Sequence, residues 1–131
     1  MNTYLLDTSV IIDVLNSKRA RDTLLLRLLS EGHLLACCAI NVTEVYAGMR
    51  SHEQAKTDLL VDSFQYVEVT KDIAKHAGRL KFEWARKGVT LSTPDATIAA
   101  VALTRKLILI TDNRKHYPMP DLRMFEESPR R

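Results

Sequence analysis

Short apolar runs of strand length alternate with stretches of helical periodicity along the whole chain, and that alternation leaves few folds open to it. Tyr4–Leu6 is an apolar run ending at Asp7, after which Val10, Ile11, Val14 and Leu15 recur at helical spacing. Arg19–Ser30 sets Leu24, Leu25, Leu28 and Leu29 on one helix face, with Gly32 as its stop. Leu34–Ile40 returns to strand character, Asn41–Arg50 and Glu53–Ser63 read as helices, and Tyr66–Val69 reads as a strand. Thr70 caps a helix over Lys71–Lys87 that Gly88 closes, and Thr93-Pro94 opens another over Asp95–Thr104. Leu107–Ile110 is the clearest buried strand, and Phe125 closes a last short one. Strands separated by helices pair in parallel, so the pattern predicts an α/β protein with a central parallel sheet and helices on both faces.

A length of 131 residues with 46% hydrophobic content predicts one domain over 1–131. With 4 Gly and 4 Pro no stretch reads as a linker, and no repeat is visible. The opening apolar run has no basic flank and is broken by Asp7 and Asp13, and Ala96–Leu103 is far shorter than a membrane span. The expected location is therefore the cytoplasm, away from any membrane. Adjacent Cys37 and Cys38 agree, because neighbours cannot form an unstrained disulfide; they read as buried thiols in a reducing compartment. The alternative, a redox pair or soft-metal site, lacks further ligands at suitable spacing.

Net charge is +3, which suits a nucleic-acid partner without requiring one. Lys18, Arg19, Arg21, Arg27, Lys71, Lys75, Arg79, Lys81, Arg86 and Lys87 are scattered through helical segments and are expected on solvated faces. The run Arg114-Lys115-His116 and the pair Arg130-Arg131 stand apart.

Parallel sheets bind ligands beyond the carboxyl ends of their strands. Asp7 and Asp112 fall there, each just after an apolar run, while Glu44 and Asp95 fall in first turns of helices. Singly, each acid has a structural explanation. Asp7 caps the next helix, Glu44 completes a capping box with Asn41, Asp95 follows a Thr93 cap and Pro94, and Asp112-Asn113 is a turn pair. Jointly they read differently. Carboxylates gathered at the edge of an apolar core repel one another unless a cation intervenes, and hard Mg²⁺ or Mn²⁺ prefers such oxygen ligands. An ion of that kind acidifies a bound water and stabilises a leaving oxygen, as phosphodiester hydrolysis requires.

The same residues carry a family resemblance. Leu5-Leu6-Asp7-Thr8-Ser9-Val10-Ile11-Ile12-Asp13, Asn41-Val42-Thr43-Glu44-Val45-Tyr46-Ala47-Gly48, Pro94-Asp95-Ala96-Thr97-Ile98-Ala99-Ala100 and Ile110-Thr111-Asp112-Asn113-Arg114-Lys115-His116-Tyr117 resemble, in order, the four motifs of PIN-domain nucleases. Their spacing resembles that of the VapC toxins of toxin–antitoxin pairs, over nearly the whole chain. The resemblance implies a three-layer α/β/α sandwich and metal-dependent endoribonuclease activity on structured translation-related RNA, of the tRNA or rRNA class. It makes Asp7, Glu44 and Asp95 ligands of Mg²⁺ or Mn²⁺, with Asp112 as the fourth acid and Asn113 as the other candidate for that place. It also implies a homodimer and a cognate VapB-type antitoxin.

Beside these, Thr8 or Ser9 is expected to hold a water or a phosphate, and Arg114 and Lys115 either clamp a phosphate or merely solvate their loop. No His or Lys looks poised as a base, so attack by an activated water is expected, leaving a 5′-phosphate and a 3′-hydroxyl. His116 and Tyr117 could stack on a base but are rather expected to pack their loop, and Asp13 to be a solvated helix residue. With 6% aromatic residues no base-reading platform is visible, so shape and an exposed loop would select the RNA. Leu24–Leu29 and the small-residue helix Ala96–Ala102 offer apolar surface to a partner or to the core. A catalytically silent PIN-like module binding RNA or antitoxin is the rival reading. A receiver domain would need an acid pair where Asp7-Thr8 stands, and a DxDxT phosphatase a second Asp in place of Ser9.

Overall fold

The computed structural model describes residues 1–126, so Arg130 and Arg131 lie outside the described residues. Four strands form: β1 (Thr3–Leu6), β2 (Leu34–Cys38), β3 (Gln65–Val67) and β4 (Ile108–Ile110). They lie in the order β3-β2-β1-β4 and every pairing is parallel. Between them run α1 (Thr8–Leu15), α2 (Arg21–Ser30), α3 (Ala39–Gly48), α4 (Gln54–Ser63), α5 (Lys71–Arg86) and α6 (Thr93–Arg105), with short 3₁₀ turns at Ser51–Glu53 and Arg114–His116.

Side chains alternate along each strand, so one sheet feeds two cores. Leu5, Ala36, Cys38 and Leu109 face Ile73, Leu80, Ile98 and Val101 of α5 and α6. Tyr4, Leu6, Cys37, Ile108 and Ile110 face Val10, Leu25, Leu28 and Val45 on the other side. This is the expected sandwich, and burial on both faces explains why β1, β2 and β4 read as apolar runs, whereas β3 at the sheet's edge is largely exposed. No described helix is long and apolar enough to cross a membrane. Cys37 and Cys38 are free and buried, and burial, with Cys38 beside it, pushes the Cys37 thiol up to about 11.

Several boundaries move for local reasons. Strand β2 stops at Cys38, because the fully buried Asn41 turns its Oδ1 back to accept the Cys38 N–H at 2.9 Å. Helix α3 thus begins at Ala39, and the Asn41–Glu44 capping box does not form. The cap of α6 is Ser92 and not Thr93: its Oγ accepts the Asp95 N–H at 3.2 Å. Helix α2 starts at Arg21, since Ser17, Arg19 and Ala20 adopt left-handed φ of 52°, 56° and 52°. In place of a strand at Phe125 there is a single parallel bridge, Leu109 with Met124, beside which the Phe125 N–H donates to Leu109 O at 2.8 Å.

Candidate active site

Asp7 follows directly from β1, and its N–H donates to Ile110 O at 2.9 Å, tying the end of central β1 to that of its neighbour β4. Its carboxylate caps α1 as expected: Oδ1 accepts the Thr8 N–H at 2.9 Å. The other oxygen, Oδ2, accepts from Thr111 Oγ1 at 2.6 Å. Thr111 Oγ1 also accepts the Asn113 N–H at 2.9 Å, which ties the start of the loop after β4 to Asp7. At 6% exposure Asp7 is a buried carboxylate with only neutral donors around it in these bonds, the setting in which a cation is most strongly attracted.

Asp95 arrives from the first turn of α6. Its Oδ1 accepts from the Tyr117 hydroxyl at 3.2 Å and its Oδ2 lies 3.5 Å from His116 Nδ1. Tyr117 is the meeting point. Its phenol is buried at 2% exposure, and burial, then the charges of Asp7 and Asp95 together, push its pKa far above the ordinary value. The phenol therefore stays protonated and donates. Asp95 is bonded to this hydroxyl, and the charge of Asp7, from a distant part of the chain, reaches it.

Glu44 stands in the second turn of α3, exposed and outside the dry surroundings expected for it. It connects through Thr8, whose Oγ1 donates to Glu44 Oε1 at 2.7 Å. Asn41 orients Thr8: its Nδ2 donates to Thr8 Oγ1 at 3.2 Å and to Leu6 O at 3.0 Å. Both polar groups of Thr8 are thus engaged internally. Ser9 Oγ, by contrast, is buried without a protein partner.

Asp112 faces elsewhere. Its carboxylate pairs with Arg21, and with Arg19 at 3.1 Å. Both arginines also lie 3.9 Å from Asp13, which is partly buried and so not the solvated helix residue expected. Arg114 is drawn to the C-terminal segment, pairing with Glu126 at 3.0 Å. Lys115 remains beside the acids: with Leu91, Ser92, Asp95 and His116 it lines a cavity of about 250 Å³.

The structure therefore gathers Asp7 and Asp95, links Glu44 to them through Thr8, and leaves Asp112 in an arginine clamp. Among the described residues no three His, Cys, Asp or Glu side chains converge as a ready-made metal cage. The donor set is nevertheless all oxygen, with the unpartnered Ser9 hydroxyl beside Asp7 in sequence. That suits a hard cation, which is held directly by one or two carboxylates and otherwise by retained waters. Thr111, Asn41, Arg19 and Arg21 were not legible as site residues. Tyr117 and His116, which the sequence suggests only as packing for their loop, are signalled as more by nothing but the motif that contains them.

Comparisons with known proteins match the chain to the PIN domain over residues 4–122. Ribonuclease VapC19 of Mycobacterium tuberculosis is 33% identical over 119 residues, covering 90% of this chain and 95% of its own. A toxin–antitoxin complex from Klebsiella pneumoniae superposes with a TM-score of 0.74 at 28% identity, covering 91% of this chain and 94% of the other. VapBC2 of Rickettsia felis, solved bound to a DNA fragment from its promoter, gives a TM-score of 0.83 at 23% identity over 94% and 97%.

Proposed function

The chain belongs to the PIN-domain family and, within it, to the VapC ribonucleases, and from that premise we propose that it is a metal-dependent endoribonuclease, the toxin of a toxin–antitoxin pair, acting on structured translation-related RNA. The whole chain serves as one such domain in the cytoplasm. The observation that carries the reading is the placement of two carboxylates about the buried Tyr117 phenol at the carboxyl edge of the sheet, Asp95 hydrogen-bonded to it and Asp7 close enough for its charge to be felt there.

Asp7 and Asp95 would hold Mg²⁺ or Mn²⁺, with Glu44 and the Ser9 hydroxyl beside them. When bound, such an ion supplies Lewis acidity to the phosphate and lowers the pKa of a water. The chain's own residues supply the geometry. Tyr117, protonated throughout the neutral range, fixes the Asp95 carboxylate, while Thr111 and the Thr8 amide fix Asp7. Asn41 and Thr8 orient Glu44 to take part through water. Lys115 in the cavity beside Asp95 is placed to meet a flanking phosphate. Asp112 would join only on leaving Arg19 and Arg21, and Asn113 supplies a neutral oxygen at the same turn. Hydrolysis by water leaves a 5′-phosphate.

Incubating the protein and Asp95→Asn with RNA, in Mg²⁺ or EDTA, tests this. Cleavage is expected from the wild type in Mg²⁺ only, and Asp95→Asn is expected to lose it by a hundredfold or more, a scale set by the ~10²–10³-fold cost of removing one electrostatic stabiliser. Equal cutting by both refutes the site. The silent binding module is the second reading, favoured by the arginine pairing of Asp112, and absence of EDTA-sensitive cleavage would establish it.

The partner reading has its own surface. Val14, Leu25, Leu26, Leu29, Leu60 and Phe64 line an apolar groove of about 650 Å³ in which Leu26 and Leu29 are 66% and 48% exposed. We assign it to an apolar segment of the antitoxin, bound to a homodimer of this chain. Leu26→Lys should weaken the complex with co-expressed antitoxin by at least about tenfold, since burying an unpaired charge costs more than 1.4 kcal/mol. An unchanged complex rejects the groove.

A further inference from the structure

Lys71, Lys75, Arg79, Phe82 and Arg86 are exposed on α5 at spacings that place them within about a quarter of the helix circumference. They stand opposite Ile73, Ala77 and Leu80, which anchor the helix to the core. The stripe is about 22 Å long at 1.5 Å per residue. A helix cation with an acid three or four residues away can pair with it. Here, among the described residues, none of the four makes an ion pair, although Asp72 and Glu83 share the helix. Phe82 lies among them at 65% exposure, with the Arg86 guanidinium 5.6 Å from its ring centroid.

The stripe also has a direction. Its Arg86 end leads through residues 87–92 into the first turn of α6, where Asp95 stands. Lys81 braces that connection, its Nζ donating to Leu91 O at 2.7 Å, and Leu91 and Ser92 line the cavity beside Asp95. Unpaired cations at one-turn intervals around a single exposed ring match single-stranded nucleic acid, whose phosphates need cations and whose bases stack on any aromatic face. A second copy of the chain fits poorly, because a two-fold contact through this face sets the same cations against one another.

We propose that the exposed face of α5 is a second RNA-contact surface, holding the single-stranded arm that flanks the cleavage point, with phosphates on Lys71, Lys75, Arg79 and Arg86 and one base on Phe82. The proposal rests on the ribonuclease reading, and the test separates the two. Binding of a labelled single-stranded oligouridylate of about 20 nucleotides is followed by fluorescence anisotropy against salt, using the full chain carrying Asp95→Asn. Adding Lys75→Ala, Arg79→Ala and Arg86→Ala should weaken binding about tenfold at low salt and reduce the slope of log K against log salt by about 2. Phe82→Ala should weaken it about tenfold with the slope little changed, and Phe82→Trp should retain it. Unchanged affinity and slope overturn the proposal, as does a changed sedimentation mass with an unchanged slope, which would make the face a protein interface. A wild type that cuts no RNA while the slope change persists leaves the surface standing and removes the nuclease reading.

Discussion

Asn41 does more than its position in a helix suggests. One buried amide accepts the Cys38 N–H, donates to Leu6 O and aims Thr8 at Glu44, so it joins two strand ends to one acid. Asn41→Ala leaves buried partners unsatisfied and should cost about 1–3 kcal/mol in denaturant unfolding. Tyr117→Phe removes only the donor to Asp95. It should lower cleavage about 10–100-fold, the usual effect of removing an outer partner of a ligand, with the melting temperature nearly unchanged. Cys37 supplies a pH dependence of stability. Its thiol is raised from 9.0 to about 11 in the folded chain, so the unfolded state loses its proton first as pH rises. The stabilising contribution is intact below pH 9 and falls through the interval up to about 11, by up to ~1.4 kcal/mol per unit. Unfolding titrations under reductant should show that decline, and Cys37→Ala should reduce it without abolishing it, because burial raises the Cys38 thiol as well.

At the scale of elements, α6 combines burial and display. Ala96 to Ala102 are all buried, so the helix packs close to the sheet, while its first turn presents Asp95 at the rim. The apolar surface once offered to a partner is consumed by the core. Ser92 fixes where the helix begins, and thereby where Asp95 points. Ser92→Ala should cost about 1 kcal/mol of stability, and it should reduce cleavage more than Thr93→Ala does, because Thr93 is not the cap. Equal effects of the two on cleavage would contradict that assignment. The α1–α2 connection is the other element with functional bearing. Its left-handed Ser17, Arg19 and Ala20 deliver Arg19 and Arg21 to Asp112, an ion-pair cluster that helical periodicity cannot reveal.

For the whole molecule, the proposed chemistry sits along the sheet's carboxyl edge and stability in the two cores on its faces. Leu109 is fully buried in a strand that pairs with β1 and also bridges to Met124. Leu109→Ala should cost about 2–5 kcal/mol in a single cooperative transition seen equally by fluorescence and circular dichroism. Separate transitions for the two layers would show that they fold independently.

The order of residues alone determined the alternation of strands and helices, the parallel sheet, and the places of Asp7 and Asp112 just beyond its strands. Those follow from local periodicity and from the rule that parallel strands present their carboxyl ends as a site. Tertiary structure decided which acids meet. Asp7 and Asp95 lie far apart in sequence, yet Tyr117 is bonded to Asp95 and feels the charge of Asp7; Glu44 joins through Thr8, and Asp112 is taken by two arginines. Such pairings depend on side-chain direction and on through-space charge, and neither has any period along the chain.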